Sequence, residues 1–94
     1  MERKVQTGDV VVSTDGRDKG IFYLVVRTQE NIAYVTDGRK RKVNNLKKKN
    51  FKHVKTVVEQ AEIGLAMKIQ NGETVGNERV YRSVRAEKQK LQED

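Results

Sequence analysis

The sequence predicts a mainly β unit, a small five-stranded barrel, with a C-terminal α-helical hairpin behind it. Three observations lead there. Short segments rich in Val, Ile, Tyr and Phe alternate with Gly- and Asn-containing breaks. The second of these segments is apolar on both parities, so both of its faces should be covered. Beyond residue 55, apolar residues recur at helical rather than strand spacing. At 94 residues the chain is one small domain. The barrel is assigned to residues 1–55, with its strands beginning near residue 5. The hairpin is assigned to residues 56–94, with its helices within 57–91.

Taken in order, residues 9–13 (DVVVS), 21–27 (IFYLVVR) and 32–36 (IAYVT) read as strands of an antiparallel meander. The breaks are TDGRDKG (14–20), QEN (29–31) and TDG (36–38), so Gly8, Gly16, Gly20 and Gly38 are expected to be structural turn residues. In the second strand Ile21, Tyr23 and Val25 alternate against Phe22, Leu24 and Val26. One set should line the barrel interior and the other should meet whatever follows the basic segment. Thr56 followed by Glu59 has the spacing of a capping box, and Val58, Ala61, Leu65, Ala66 and Ile69 continue at helical intervals until Asn71 and Gly72 stop them. Asn77 is expected to cap a second helix carrying Val80, Tyr81, Val84 and Leu91, with a frayed charged end at EKQKLQED.

The residue inventory argues against catalysis. There is no Cys and one histidine, His53, which sits among lysines as a polar strand residue, so neither a metal cluster nor a Cys/His pair can be assembled. Ser13 and Ser83 lack the strand-to-helix elbow of a serine nucleophile, and no phosphate-cradling glycine motif is present. A non-enzyme without metal, cofactor or small-molecule substrate is therefore expected. No apolar run reaches about 18 residues, and MERKVQTGD is too polar for a signal peptide, so a cytoplasmic location without membrane contact is expected.

Charge is the most informative feature. From Gly38 to Lys55 the chain carries nine cations and no acid: Arg39, Lys40, Arg41, Lys42, Lys47, Lys48, Lys49, Lys52 and Lys55. That segment contributes +9 against a net charge of +7, leaving −2 elsewhere. A local excess of one sign points to a polyanionic partner. Val43, Leu46, Phe51 and Val54 are threaded through the run. They should pin it to the core and turn a charged tail into a surface. Engagement of about six phosphates would give a log–log salt slope near −4 to −5. Aromatic residues are few, and Tyr23 and Tyr34 read as core or sheet-face residues, so structured RNA recognised by shape is the expected partner. Arg17 and Lys19 join the footprint if the TDGRDKG loop lies beside the basic segment.

Residues 8–26, GDVVVSTDGRDKGIFYLVV, resemble the KOW motif through Gly8, Asp9, the valines, Gly16, Asp18, Lys19 and Gly20. The continuation DGRKRKVNNLKKKNFKHVK and the C-terminal pattern are similar to bacterial KOW-domain RNA-binding proteins. Those are in turn similar to the KOW-containing large-subunit ribosomal proteins of archaea and eukaryotes. The resemblance implies an SH3-like (KOW) barrel and an RNA-binding, ribosome-associated role. It also implies contacts from Arg17, Lys19 and the cations from Lys47 to Lys55, with His53 beside them and ribosomal RNA as the expected target. A second class remains: a protein-interaction module docking on ribosomal protein or RNA polymerase, in part through Val80, Val84 and Leu91. Duplex DNA fits less well, since no helix carries a concentrated basic face. The sequence thus predicts that reversing Lys47, Lys48 and Lys49 together severely weakens RNA binding while leaving thermal stability nearly intact, as checked by binding titration and melting.

Overall fold

A five-stranded antiparallel sheet and two C-terminal helices make up the computed structural model, which describes residues 3–92. The strands are β1 (Val10–Ser13), β2 (Phe22–Gln29), β3 (Ile32–Thr36), β4 (Lys47–Asn50) and β5 (Val54–Val58). A single 3-10 turn, Phe51–His53, joins β4 to β5, and α1 (Ile63–Gln70) and α2 (Asn77–Gln92) follow. The spatial order is β4-β3-β2-β1-β5, so consecutive strands β4 and β5 form opposite edges of the sheet.

That order forces curvature. In a flat sheet the outer strands of five would lie about 19 Å apart. The link from Asn50 to Val54 reaches about 14 Å at full extension. The sheet therefore curls until its edges approach. The linking turn is held from both sides: the Phe51 N–H donates to the Asn31 carbonyl at 2.8 Å, and the Thr14 N–H donates to the His53 carbonyl at 2.9 Å.

The curl divides the apolar residues into two cores, as the double parity of β2 requires. Val11, Tyr23, Val25, Ala33, Val35 and Val54 fill the concave side, with Val5, Ile21 and Phe51 packed against them. Leu24 and Val26 face the other way, onto Leu65 and Ala66 of α1 and Val80 and Val84 of α2, with Phe22, Val43, Leu46 and Ile69 around them. Burying this second face is what holds the helices to the sheet. Among the described residues, no helix is long and apolar enough to cross a membrane.

Several local expectations change. Residues 56–58 do not open a helix: β5 runs to Val58, and α1 begins only at Ile63, without a side-chain cap. The segment Val54–Val58, β-branched except for Lys55, pairs with β1, and the Thr56 hydroxyl donates to the Asp9 carboxylate at 3.0 Å, so tertiary pairing outweighs the capping-box spacing. The barrel–hairpin boundary at residue 55 therefore falls inside a strand. His53 lies in the 3-10 turn instead of a strand, because the Asn50 side chain accepts the Lys52 N–H at 3.0 Å and bends the chain there. Helix α2 does start at Asn77, but the Asn77 amide oxygen accepts the Val43 N–H at 2.8 Å, tying the helix to the basic loop. Its end is not frayed at residue 87: the helix continues to Gln92, and Glu87 is buried. Residues 93 and 94 of that segment lie outside the described residues.

All four glycines expected at turns have positive φ: Gly8, Gly16, Gly20 and Gly38. At Gly38 a second constraint is added, because a Cβ there would collide with the Asn77 carbonyl and reach 2.8 Å from the Tyr81 backbone nitrogen. Around Gly20 there is open space. Gly38→Ala should therefore cost well over about 2 kcal/mol, or roughly 10 °C of Tm or more, and Gly20→Ala only about 1 kcal/mol. Thermal melts of the two variants check this ordering.

Candidate nucleic-acid interface

The basic surface is organised by an acid. The β1–β2 loop (14–20) carries Asp18, whose carboxylate accepts from the Ser13 hydroxyl at 2.8 Å and the Tyr23 hydroxyl at 2.9 Å. It also pairs with the ammonium groups of Lys47 at 3.0 Å and Lys49 at 3.1 Å. Strand alternation explains the choice: Lys47 and Lys49 lie on one face of β4 and Lys48 on the other, where it sits opposite Tyr34. Burial alone would raise the Asp18 pKa. The hydrogen bonds from Ser13, Lys47, Tyr23 and Lys49 outweigh burial and hold the carboxyl far below the usual carboxylate range. Burial and the bond to Asp18 push the Tyr23 hydroxyl up correspondingly.

These contacts seat the loop against β4, and a second set seats it against the 3-10 turn, where Asp15 lies 3.5 Å from His53. The loop therefore lies beside the basic segment, the condition under which Arg17 and Lys19 extend its footprint. Both side chains are exposed.

The β3–β4 loop is equally fixed. The Asp37 carboxylate accepts the N–H groups of Arg39 at 3.0 Å and Arg41 at 2.9 Å, and the Thr36 hydroxyl donates to the Arg41 carbonyl at 2.7 Å. Val43 and Leu46 pack under the helices. Lys40 and Lys42 are left exposed on this frame, with Arg41 half-buried. Arg39 turns to α2 instead: its guanidinium lies 3.8 Å over the Tyr81 ring and 3.1 Å from Glu78.

A third basic region lies along β5. A groove of about 730 Å³ has Val5, Phe51 and Val54 among its lining residues, with Lys4, Lys52 and Lys55 beside them and the Arg3–Glu59 ion pair closing its rim. Lys4, Lys52 and Lys55 are exposed, and none has an acidic partner among the described residues. The apolar residues threaded through the run thus act on both sides of the sheet: Phe51 and Val54 in the concave core, Val43 and Leu46 under the helices.

The nine cations of the run consequently fall into two groups. Arg39, Lys47 and Lys49 are engaged by acids. Lys40, Arg41, Lys42, Lys48, Lys52 and Lys55 have no ion-pair partner among the described residues. Treating Lys47, Lys48 and Lys49 as one contact set is corrected by this geometry, because reversing Lys49, which is only 8% exposed, attacks the fold. The hairpin residues change as well: Val80 and Val84 are buried against β2, and only Leu91 of the three is exposed.

Sequence reasoning missed Asp18 as the organiser, although an acid between two cations, facing a lysine run, was a visible signal. It also missed Asp9, which is fully buried. Asp9 accepts from both terminal nitrogens of Arg3 at 2.8 Å, from Thr56, and from the N–H groups of Gln6 and Gln60 at 2.9 Å. Burial would raise its pKa, but these bonds leave it lowered. Asp9 ties the N-terminal segment to β5 beside the groove. Among the described residues, no cluster of His, Cys, Asp or Glu is suited to a metal ion. Compared with known proteins, the chain matches no family model and no curated sequence.

Asp18→Asn should cost on the order of 3 kcal/mol at neutral pH, since it leaves two ammonium groups facing an uncharged amide. Because the folded pKa is depressed, the Asp18 contribution is complete above about pH 4, the unfolded range, and is lost as pH falls toward the folded value. The Tm gap between wild type and variant should therefore narrow below about pH 4, as checked by melts across pH. In the same assay Lys49→Glu should melt far below Lys48→Glu, which should stay close to wild type.

Proposed function

We propose that this chain is a non-enzymatic RNA-binding protein of the KOW type, cytoplasmic and associated with structured ribosomal RNA. The curled sheet is read as an SH3-like barrel: its edge strands are three residues apart in the chain, and the β1–β2 loop packs against both β4 and the 3-10 turn. The observation that carries the functional reading is the set of exposed cations mounted on rigid, hydrogen-bonded frames: Arg17 and Lys19 on one loop, Lys40 and Lys42 on another, Lys52 and Lys55 at the β5 groove. Cations held in place lose less entropy on meeting phosphates than cations on a mobile tail. Backbone phosphates give affinity and register, and the shape of the RNA gives preference.

A protein-docking role is the second reading, and one observation favours it. Ile63 and Met67, one turn apart on α1, are 45% and 42% exposed, an apolar pair that could meet a ribosomal protein or RNA polymerase.

Titration of a fully paired RNA hairpin separates the two. The RNA reading expects affinity to fall with a log–log salt slope near −4 to −5, matching the six cations of the basic run that have no acidic partner among the described residues. Lys52→Glu with Lys55→Glu should weaken binding by about tenfold or more, with Tm unchanged. A slope near zero, or full affinity in the double variant, would remove the proposal and leave the α1 patch as the site to pursue.

A further inference from the structure

On the convex face of the sheet, away from the groove, three residues stand directly opposite one another across three strands: Arg27 on β2, Tyr34 on β3 and Lys48 on β4. The Arg27 guanidinium carbon lies 3.6 Å from the centre of the Tyr34 ring, a stacked contact, and the Lys48 ammonium is 5.9 Å from the same ring. A bulge puts Arg27 there. The β2–β3 register shifts between Val25 and Arg27, so Arg27 faces Tyr34. Without the shift it would share the parity of Tyr23 and Val25 and point into the concave core.

The face around this row is chemically uniform. Neither Arg27 nor Lys48 has an ion-pair partner among the described residues, and both are exposed. The next row on the same face is Gln29, Ile32 and Asn50, two amides flanking an aliphatic side chain. Neither row contains a carboxylate; the nearest in sequence is Glu30, in the turn beyond them. Helices α1 and α2 cover Leu24 and Val26 but leave this end of the sheet open.

We propose that the Arg27–Tyr34–Lys48 row is a binding site for one unpaired nucleotide of the RNA. Tyr34 holds the guanidinium plane flat, the outer face of that plane receives the base, and Lys48 meets the adjoining phosphate. The Gln29 amide and the Asn50 amide nitrogen, whose oxygen partner already accepts the Lys52 N–H, stand in the next row and can meet the donors and acceptors of a base edge. A lysine at position 27 would keep the charge but lose the plane. This site rests on the RNA reading and sharpens it: the preferred ligand is a paired stem with an unpaired residue beside it, not a continuous duplex. Recognition of splayed-out bases on guanidinium or aromatic planes is general RNA chemistry.

The test uses the full chain and two hairpins, one fully paired and one carrying a single 2-aminopurine bulge. Wild type should prefer the bulged hairpin by about fivefold or more, and the 2-aminopurine fluorescence should be quenched on binding. Arg27→Lys should lose that preference and the quench while binding the paired hairpin as wild type does. Equal affinity of wild type for both hairpins, with no quench, overturns the nucleotide site and leaves the general RNA reading standing. Failure of wild type to bind either hairpin overturns both. If poly-glutamate displaces the bulged hairpin as well as single-stranded RNA of equal charge does, the face takes an acidic peptide and the proposal falls.

Discussion

Asp18 accepts four hydrogen bonds, from Ser13 and Tyr23 inside the sheet and from Lys47 and Lys49 on its far edge strand. The Lys49 ammonium adds a bond to the Asp15 carbonyl at 3.4 Å, so the β1–β2 loop is fastened to β4 chiefly through this carboxylate and its two lysines. A lysine-rich strand is a poor strand by propensity and carries its own repulsion. The carboxylate removes that repulsion where it is worst, on the inward face, and leaves the outward lysine free. The anion in the loop is thus a condition for the cationic strand to exist.

From that constraint the rest of the surface follows. Once β4 is fixed, β3 is paired on both sides, the β3–β4 loop closes on Asp37 and Thr36, and α2 docks its first turn against Gly38. The short turn after β4 then delivers β5 to the other edge, where Asp9 fastens it to β1 and to the N-terminal segment. Asp9, Asp18 and Asp37, the acids bonded to the elements around the basic run, each have a structural task. Within the basic run Lys40, Lys42, Lys48, Lys52 and Lys55 are exposed and have no acidic partner among the described residues, and this division is the physical basis for reading the surface as a phosphate-binding one.

Much of this was legible in the sequence. The double apolar parity of residues 21–26 required two cores, and the structure contains two, divided between the same alternating sets. The anchoring of the basic run by Val43, Leu46, Phe51 and Val54 was also readable. Strand β4 was not, because Lys47–Asn50 contains no apolar residue and its alternation becomes visible only when Asp18 is placed opposite. Thr56 and Glu59 carry a helix-start spacing that is locally sound, and the pairing of β5 with β1 overrides it. The outward turn of Arg27 depends on a bulge, which periodicity alone does not mark. What escaped the sequence was long-range pairing between charges, which has no period.

Lysine reactivity tests the central division most directly. Brief acetylation of the folded protein with a water-soluble reagent, read out site by site by mass spectrometry with and without an RNA hairpin, measures each ammonium in place. The account predicts that Lys49 stays unmodified in both conditions and that Lys47 reacts slowly. Lys40, Lys52 and Lys55 should react readily alone and be protected by RNA. Equal reactivity of Lys49 and Lys52 in the free protein would contradict the account, because the ammonium groups held by Asp18 and those left to a partner would then be indistinguishable.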